Sequence, residues 1–298
     1  MKNVFALGTI ILTLSACGGA GDGDDVTRAQ ASTGFATGPG DDPRDVTFNA
    51  VNTPVITLSG SEVSSALQTV AVRLSADGQT LFLEANGAQF ELARQVDDEG
   101  DIVYGDVDAD GAIASVVEQS AVLPVNIYTI GVNNGSGQAA VGIVPVGFDT
   151  DPATVAATGG SVEYTGGALM IAAQNQNGAI ESTTLDGAFS LTADFDSARS
   201  VSGNIAFNAT DPGDGIELPA FAVDLRPGAI DGNRFSGLVT LQPGEDLGGF
   251  RALELAEYNG RFYGVAADDV AGTLTGRIVE AGQAPIQLQG IFVSSDIP

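Results

Sequence analysis

Toward the C-terminal end of the chain, Val270, Gly272, Leu274, Gly276 and Ile278 alternate with Ala271, Thr273, Thr275 and Arg277. An apolar residue at every second position predicts a β-strand with one buried face. Two of those five positions are glycine, which weakens a strand unless the sheet bends there or another group comes close. The feature recurs in three more rows: Val201, Gly203, Ile205, Phe207; Phe235, Gly237, Val239, Leu241; and Ile286, Leu288, Gly290, Phe292. A sheet bent by glycine on several strands can curl until it closes, and closure removes exposed edges. The pattern therefore predicts a β-barrel.

From Ser161 onward, segments with this alternation centre on Ser161–Thr165, Ala168–Ala173, Gly187–Phe195, Val201–Ala209, Leu218–Leu225, Arg234–Gln242, Arg251–Tyr263 and Asp269–Val279, with Ile286–Val293 closing or extending the set. Asn177-Gly178, Asp214-Gly215, Asp231-Gly232 and Asn259-Gly260 read as turns, because Asn, Asp and Gly tolerate positive φ. Arg226-Pro227-Gly228 also reads as a turn. An eight-stranded barrel has an interior just wide enough to be filled by side chains or to hold one small ligand. The inward rows are bulky and apolar, which predicts a filled barrel and leaves recognition to the outer loops. Two loops qualify: the acidic, glycine-rich Thr210–Glu217 and the polar Asn175–Thr184. The simpler reading of each is a solvated connection.

The first half, Val46 to about Phe148, shows shorter β-like segments. Val70, Val72 and Leu74 alternate, Asp77-Gly78 turns the chain into Leu81–Leu83, and Phe90 and Leu92 alternate again. Val125–Val132 and Val141–Val146 are apolar enough for buried strands, and Ser61–Leu67 invites a helical turn. Asp149–Ala157 reads as a linker, with Asp151-Pro152 marking the boundary. Asp106, Asp108 and Asp110, followed by Gly111, have the spacing with which a calcium loop wraps a hard cation. The pattern then departs, because the twelfth loop position is Val117 and the acid arrives at Glu118. A weak calcium site and an Asp-rich hairpin tip are the two readings.

The run GRFYGVAADDVAGTL, Gly260–Leu274, resembles the C-terminal barrel signature of the transferrin-binding protein B-like surface lipoproteins. TGGSVEYTGGAL, Thr158–Leu169, looks like the entry strand of the same barrel, and FSLTADFDSARSVSGNI, Phe189–Ile205, like its next hairpin. The family usually has Gly-Pro after the aromatic pair, where this chain has Gly264-Val265. The resemblance covers roughly the second half of the chain. It implies an all-β fold: a β-rich, handle-like domain at 46–150, then an eight-stranded antiparallel β-barrel at 158–298. These motifs are packing and turn residues, so they specify a scaffold and leave the ligand-binding residues unknown.

Charge and composition narrow the function. The net charge of −27 repels phosphate backbones and argues against nucleic-acid partners. It suits solubility, or attraction to a basic partner. The chain has no His and no Trp, its one cysteine is Cys17, and Lys2 is its only lysine. Ser-His, Cys-His and Ser-Lys nucleophile pairs therefore cannot be assembled in the folded part. Zinc and copper sites built on imidazole or thiolate are excluded for the same reason. The reading is of a protein that is not an enzyme and needs no cofactor beyond, at most, calcium.

Lys2 followed by the apolar run Val4–Leu14 has the form of a signal peptide, which would occupy 1–16. Leu14-Ser15-Ala16-Cys17 matches the lipobox of bacterial lipoproteins, which implies acylation of Cys17 and a membrane partner through that anchor. Gly18, rather than Asp, follows the cysteine, which by analogy with enteric sorting favours the outer membrane. Residues 17–45, rich in Gly, Asp, Ala, Thr and Pro, read as a disordered tether.

Two functions fit. One is an outer-membrane lipoprotein that binds an external protein or solute through barrel loops, as the resemblance implies. The other is a structural or adhesive envelope lipoprotein without a dedicated ligand. A membrane-spanning barrel fits less well, because only 6% of residues are aromatic and no lipid-facing aromatic girdles stand out.

Overall fold

The computed structural model describes residues 46–47, 51–59, 62–75, 77–85, 88–96, 102–107, 113–122, 125–133, 138–147, 149–176, 179–210, 216–249 and 251–294. Two β structures follow one another along the chain, and a single short α-helix lies between them among the described residues.

The first is built from β1 (Val46–Thr47), β2 (Val51–Ser59), β3 (Glu62–Leu74), β4 (Thr80–Ala85), β5 (Ala88–Val96), β6 (Ile102–Val107), β7 (Ile113–Val122), β8 (Val125–Asn133) and β9 (Gln138–Gly147). The nine strands lie in the order β1-β3-β2-β9-β8-β7-β6-β5-β4, and β3 also pairs with β4, so the sheet curls back on itself. Its interior holds the alternating residues read from sequence: Val70, Val72, Leu74, Leu81, Leu83, Phe90 and Leu92, together with Tyr104 and Val144. Where a helical turn is expected at Ser61–Leu67, the described residues Glu62–Leu67 are instead the start of β3. That segment pairs residue for residue with β2, from Ser59↔Glu62 to Val51↔Val70. The ladder satisfies its backbone groups and overrides a weak local helix preference.

The second structure is a closed barrel of β10 (Ser161–Gln176), β11 (Ala179–Asp194), β12 (Ser200–Phe207), β13 (Phe221–Asp231), β14 (Arg234–Leu241), β15 (Arg251–Tyr263), β16 (Asp269–Glu280) and β17 (Ile286–Ser294). The two separate strands expected at Ser161–Thr165 and Ala168–Ala173 are one. β10 runs straight through Gly166-Gly167 and pairs along its whole length with β11. Arg226-Pro227-Gly228 does not turn the chain either. It forms an irregularity inside β13, between the pairs Leu225↔Val239 and Ala229↔Ser236. Asn259-Gly260 likewise lies mid-strand, with Gly260 paired to Phe235 on one side and Gly272 on the other.

Four inward glycines are explained by these registers. Gly260 faces Phe235, Gly237 faces Tyr258, Gly272 faces Phe292 and Gly187 faces Phe207, each directly across a strand pair. A Cβ on Gly237 would lie 2.6 Å from the Tyr258 ring, and one on Gly272 would strike the Phe292 ring and stand 2.5 Å from the Asn259 carbonyl oxygen. At Gly237, Gly260 and Gly272 the facing ring thus occupies the space a side chain would need, an aromatic cover for a position that has none. The rings then meet in the lumen: Phe235 is 5.1 Å from Phe262, Phe262 5.1 Å from Phe195, and Phe292 5.2 Å from Phe189, centre to centre and tilted. Such tilted contacts at this spacing are favourable. The lumen is a packed core, as the bulky inward rows predict.

The segment expected as a plain linker carries α1 (Pro152–Ala157). Asp151 caps it, accepting from the Ala153 N–H at 2.7 Å, and Pro152 occupies the first turn, where its missing N–H costs nothing. Val155 enters the barrel core and is fully buried. Beside it, Asp149 binds Arg261 at 2.7 Å, with both side chains almost buried, and the Thr150 hydroxyl donates to the Gly264 carbonyl.

The barrel's outer face is apolar where β10 and β17 carry Leu169, Ile171, Ala173 and Ile291. These residues pack against Ile56, Ile127 and Ile143 of the first structure. The second faces of these strands are therefore not uniformly solvated: Ala271 and Thr273 are also buried. Gln289, on the same face, is completely buried, and its amide has no hydrogen-bond partner among the described residues.

Candidate functional site

In an antiparallel barrel with sequential strands, alternate connections fall at opposite ends. One end receives the connections after β11, β13 and β15, together with α1. There the helix and Ala267, whose carbonyl accepts from the Tyr164 hydroxyl at 2.7 Å, cover the lumen. The opposite end, the mouth, receives the connections after β10, β12, β14 and β16. The longer ones follow β12 and β14, and Ile216, Leu218 and Leu247 from them drop into the core and seal the lumen.

The two ends therefore differ in kind. The lumen is covered at both, but the helix end is bound by the Asp149–Arg261 pair and α1, whereas the mouth is walled by the described irregular chain after β12 and β14. A cleft of about 490 Å³ opens there among Thr210, Glu217, Pro219, Gly248, Arg251 and Glu280. Arg251 is fixed in it: Nε donates to Glu280 at 3.0 Å and a terminal nitrogen to the Glu217 carbonyl at 2.9 Å. Thr210 closes the base of its loop, its hydroxyl accepting from the Leu218 N–H at 2.9 Å. The lining offers hydrogen bonds and charge, which suits recognition.

A second cleft, of about 230 Å³, lies on the barrel wall beside the first structure, lined by Pro145, Asp231, Arg234, Ser236, Asn259 and Thr273 among others. Arg234 and Arg261 stand directly opposite one another across β14 and β15. Asp149 offsets the charge of Arg261.

Three phenols are held in their neutral form. Burial pushes Tyr258 up to about 12, and its hydroxyl donates to the Arg226 carbonyl at 2.7 Å. Burial also raises Tyr164, helped by Asp268 and Asp269, and raises Tyr263, helped by Asp149. Tyr164 and Tyr258 brace the barrel through their hydroxyl bonds, while Tyr263 is buried beside the second cleft, packed with Val125 and Ala271.

Of the residues singled out in the sequence, Cys17, Asp108 and Asp110 lie outside the described residues, as does the centre of Thr210–Glu217 at 211–215. Asp106 belongs to β6 and pairs with Ala114 of β7. Among the described residues no cluster of three or more His, Cys, Asp or Glu is arranged to hold a metal. The loop expected at Asn175–Thr184 is almost entirely ladder. Asn175↔Ile180 and Gln176↔Ala179 are strand pairs, so only two residues separate β10 from β11. The β14–β15 connection was not singled out in the sequence, although Gln242-Pro243-Gly244 followed by Gly248-Gly249 is a turn-rich signal for it.

The family model for the C-lobe and N-lobe β barrels of Tf-binding protein B matches residues 157–293. No curated protein sequence matches the chain. Among solved structures, transferrin-binding protein B from Haemophilus parasuis is similar at 16% identity and a TM-score of 0.45, covering 83% of this chain and 45% of that one. The isotype 1 protein from Neisseria meningitidis is similar at 16% identity and a TM-score of 0.43, over 83% and 44%. This chain thus spans less than half the length of either. HpuA from Kingella denitrificans, solved in complex with human haemoglobin, is similar at 11% identity and a TM-score of 0.31, over 86% of this chain and 94% of that one.

Proposed function

We propose that this chain, whose residues 157–293 form a β-barrel of the Tf-binding protein B barrel family, is a lipid-anchored binding protein of the outer membrane. It captures an external protein or solute through the mouth of the barrel. The observation that carries the reading is the asymmetry of the two barrel ends. One is closed by α1 and the Asp149–Arg261 pair. The other presents the long connections after β12 and β14 around an open cleft. Loops held by a rigid scaffold are where recognition residues concentrate. The lumen is filled, so the ligand is met at the surface.

In this reading Cys17 carries the lipid and residues 18–45 are the tether that lets the barrel stand off the membrane. The family takes its name from transferrin. The matched residues here are those of the scaffold, so the ligand is defined by the mouth and not by that name.

The test is protease accessibility on intact cells, with an epitope tag after Pro298. Loss of the tag on whole cells, with a periplasmic control intact, supports surface capture. Protection until the outer membrane is broken removes that function and leaves a role in the envelope interior. A Cys17→Ala protein should leave the membrane fraction, and one that still sediments with outer membrane refutes the anchor.

A further inference from the structure

The barrel wall is split at the mouth. β14 and β15 pair from Arg234↔Arg261 to Leu238↔Glu257, and there the ladder stops. Both strands continue beyond that point, β14 to Leu241 and β15 back to Arg251. Their other flanks remain paired, β14 with β13 through Val223↔Leu241 and β15 with β16 through Arg251↔Glu280. Among the described residues, no strand pairs with one flank of each over Val239–Leu241 and Arg251–Ala256. By contrast, the ladder between β10 and β11 reaches its turn, ending at Gln176↔Ala179. Of the described residues joining β14 to β15, Leu247 lies in the core and Gly248 stands beside Pro219, on the side of the β12–β13 connection.

The open flank of β15 is also strained and apolar. The register with β16 slips between Glu254 and Glu257, and in this bulge Leu255 has φ of 48°. That conformation disfavours a side chain. Leu255 is 72% exposed, and Leu238, at the apex of the split, is 60% exposed. Positive φ, exposure and a large apolar side chain coincide at Leu255. Glycine would be the easy residue there. Strained backbone of this kind clusters at binding and switch sites. Around it the charge is acidic: Glu257, Glu245 and Asp246 are exposed, while Arg251 and Arg277 are engaged by Glu280 and Glu254.

We infer that the open flank of β15, Arg251–Ala256, is a docking site for an extended, basic segment of a partner protein, which adds to the barrel wall as a further strand. Its backbone pairs with the free edge, its alternate apolar side chains rest against Leu238 and Leu255, and its positive charges face Glu257 and the acidic connection. A second copy of this chain is a poor occupant, because each copy carries a net charge of −27. The inference deepens the proposed binding function and rests on it only in placing the partner outside the cell. The strand edge itself is testable in solution, so a protein that fails the whole-cell experiment can still pass this one.

The probe is a fluorescein-labelled peptide of eight residues, alternating Arg and Val, titrated into the full-length protein by anisotropy. Its control is the same peptide N-methylated at every residue, which keeps the charge and leaves no backbone N–H to donate on either edge. Saturable binding at least about tenfold tighter for the unmethylated peptide is expected, equivalent to about 1.4 kcal/mol. Hydrogen exchange should slow at 251–256 on binding and not on β10. Leu238→Ser and Glu257→Lys, both at exposed positions, should each weaken binding without lowering the melting temperature. Equal affinity for the two peptides would reduce the site to non-specific charge attraction and overturn the inference. So would absence of binding, or protection confined to another strand.

Discussion

Placing a methyl group at Gly272 tests the idea that the barrel closes through glycines covered by cross-strand aromatic rings. In Gly272→Ala the new Cβ strikes the Phe292 ring and stands 2.5 Å from the Asn259 carbonyl oxygen. Phe292 is fully buried and packed on Phe189 at 5.2 Å, so it has nowhere to swing. Asn259 lies in the β15–β16 ladder opposite Thr273, so its carbonyl can move only with the strand. Overpacking of a well-filled core costs about 1–3 kcal/mol, and an obstructing backbone atom places this site at the upper end. For a domain of this size, about 3 kcal/mol lowers the melting temperature by roughly 6–12 °C. Gly167→Ala is the matched control, because a Cβ there meets nothing within 4 Å. Gly276→Ala should fall between them, since its Cβ would lie 3.0 Å from the Ala256 Cβ in the yielding bulge of β15. The assay is thermal unfolding followed by near-ultraviolet circular dichroism, which reports the aromatic cluster, with urea midpoints alongside. Combining Gly272→Ala with Phe292→Leu should recover part of the loss, a coupling that independent sites do not show. If Gly272→Ala and Gly167→Ala melt together, the glycines are not clearance for the rings and the reasoning is wrong.

Further outcomes can be read with the same assays. Asp149→Asn removes the carboxylate that lies 2.7 Å from the nearly buried Arg261 and should cost about 3–5 kcal/mol, while Asp149→Asn with Arg261→Met should cost less than the single change, as a urea double-mutant cycle would reveal. Tyr258, raised from 10.0 to about 12, stays protonated in the folded protein when its unfolded counterpart has begun to ionise; stability should hold below pH 10 and be lost as pH rises toward 12, and Tyr258→Phe should flatten that loss in pH-dependent urea titrations. Leu255→Gly relieves positive φ at an exposed site, so stability should be unchanged or rise by up to about 1 kcal/mol, whereas a clear loss would mean that the leucine supports the fold and not a partner. Calcium at millimolar concentration should leave the melting temperature unmoved, because the run at Asp106, Asp108 and Asp110 lacks the acid expected at Val117; a saturable shift would establish a site there.

The alternation of apolar residues by itself determined the strand-rich class, the closed barrel and its filled interior, because a two-residue period records which face of a strand is buried wherever the chain goes next. It also located the inward glycines. What it could not supply was their partners. Asn259-Gly260 carries the local chemistry of a turn, yet Gly260 is central to a strand because Phe235, twenty-five residues earlier, needs the space above it. Arg226-Pro227-Gly228 has the same turn chemistry and is an irregularity within β13, where Gly228 passes 2.7 Å, measured from an added Cβ, from the Ser236 carbonyl carbon. Local propensity and long-range pairing compete at such sites, and closure of the barrel decides between them. The buried outer face is also a tertiary result: Leu169, Ile171 and Ile291 alternate like residues facing solvent, and only the arrival of Ile56 and Ile143 makes them core. The candidate site was legible only as loops. Where the β14–β15 ladder ends is set by how eight strands share one circumference, a property of the closed sheet that no segment carries alone.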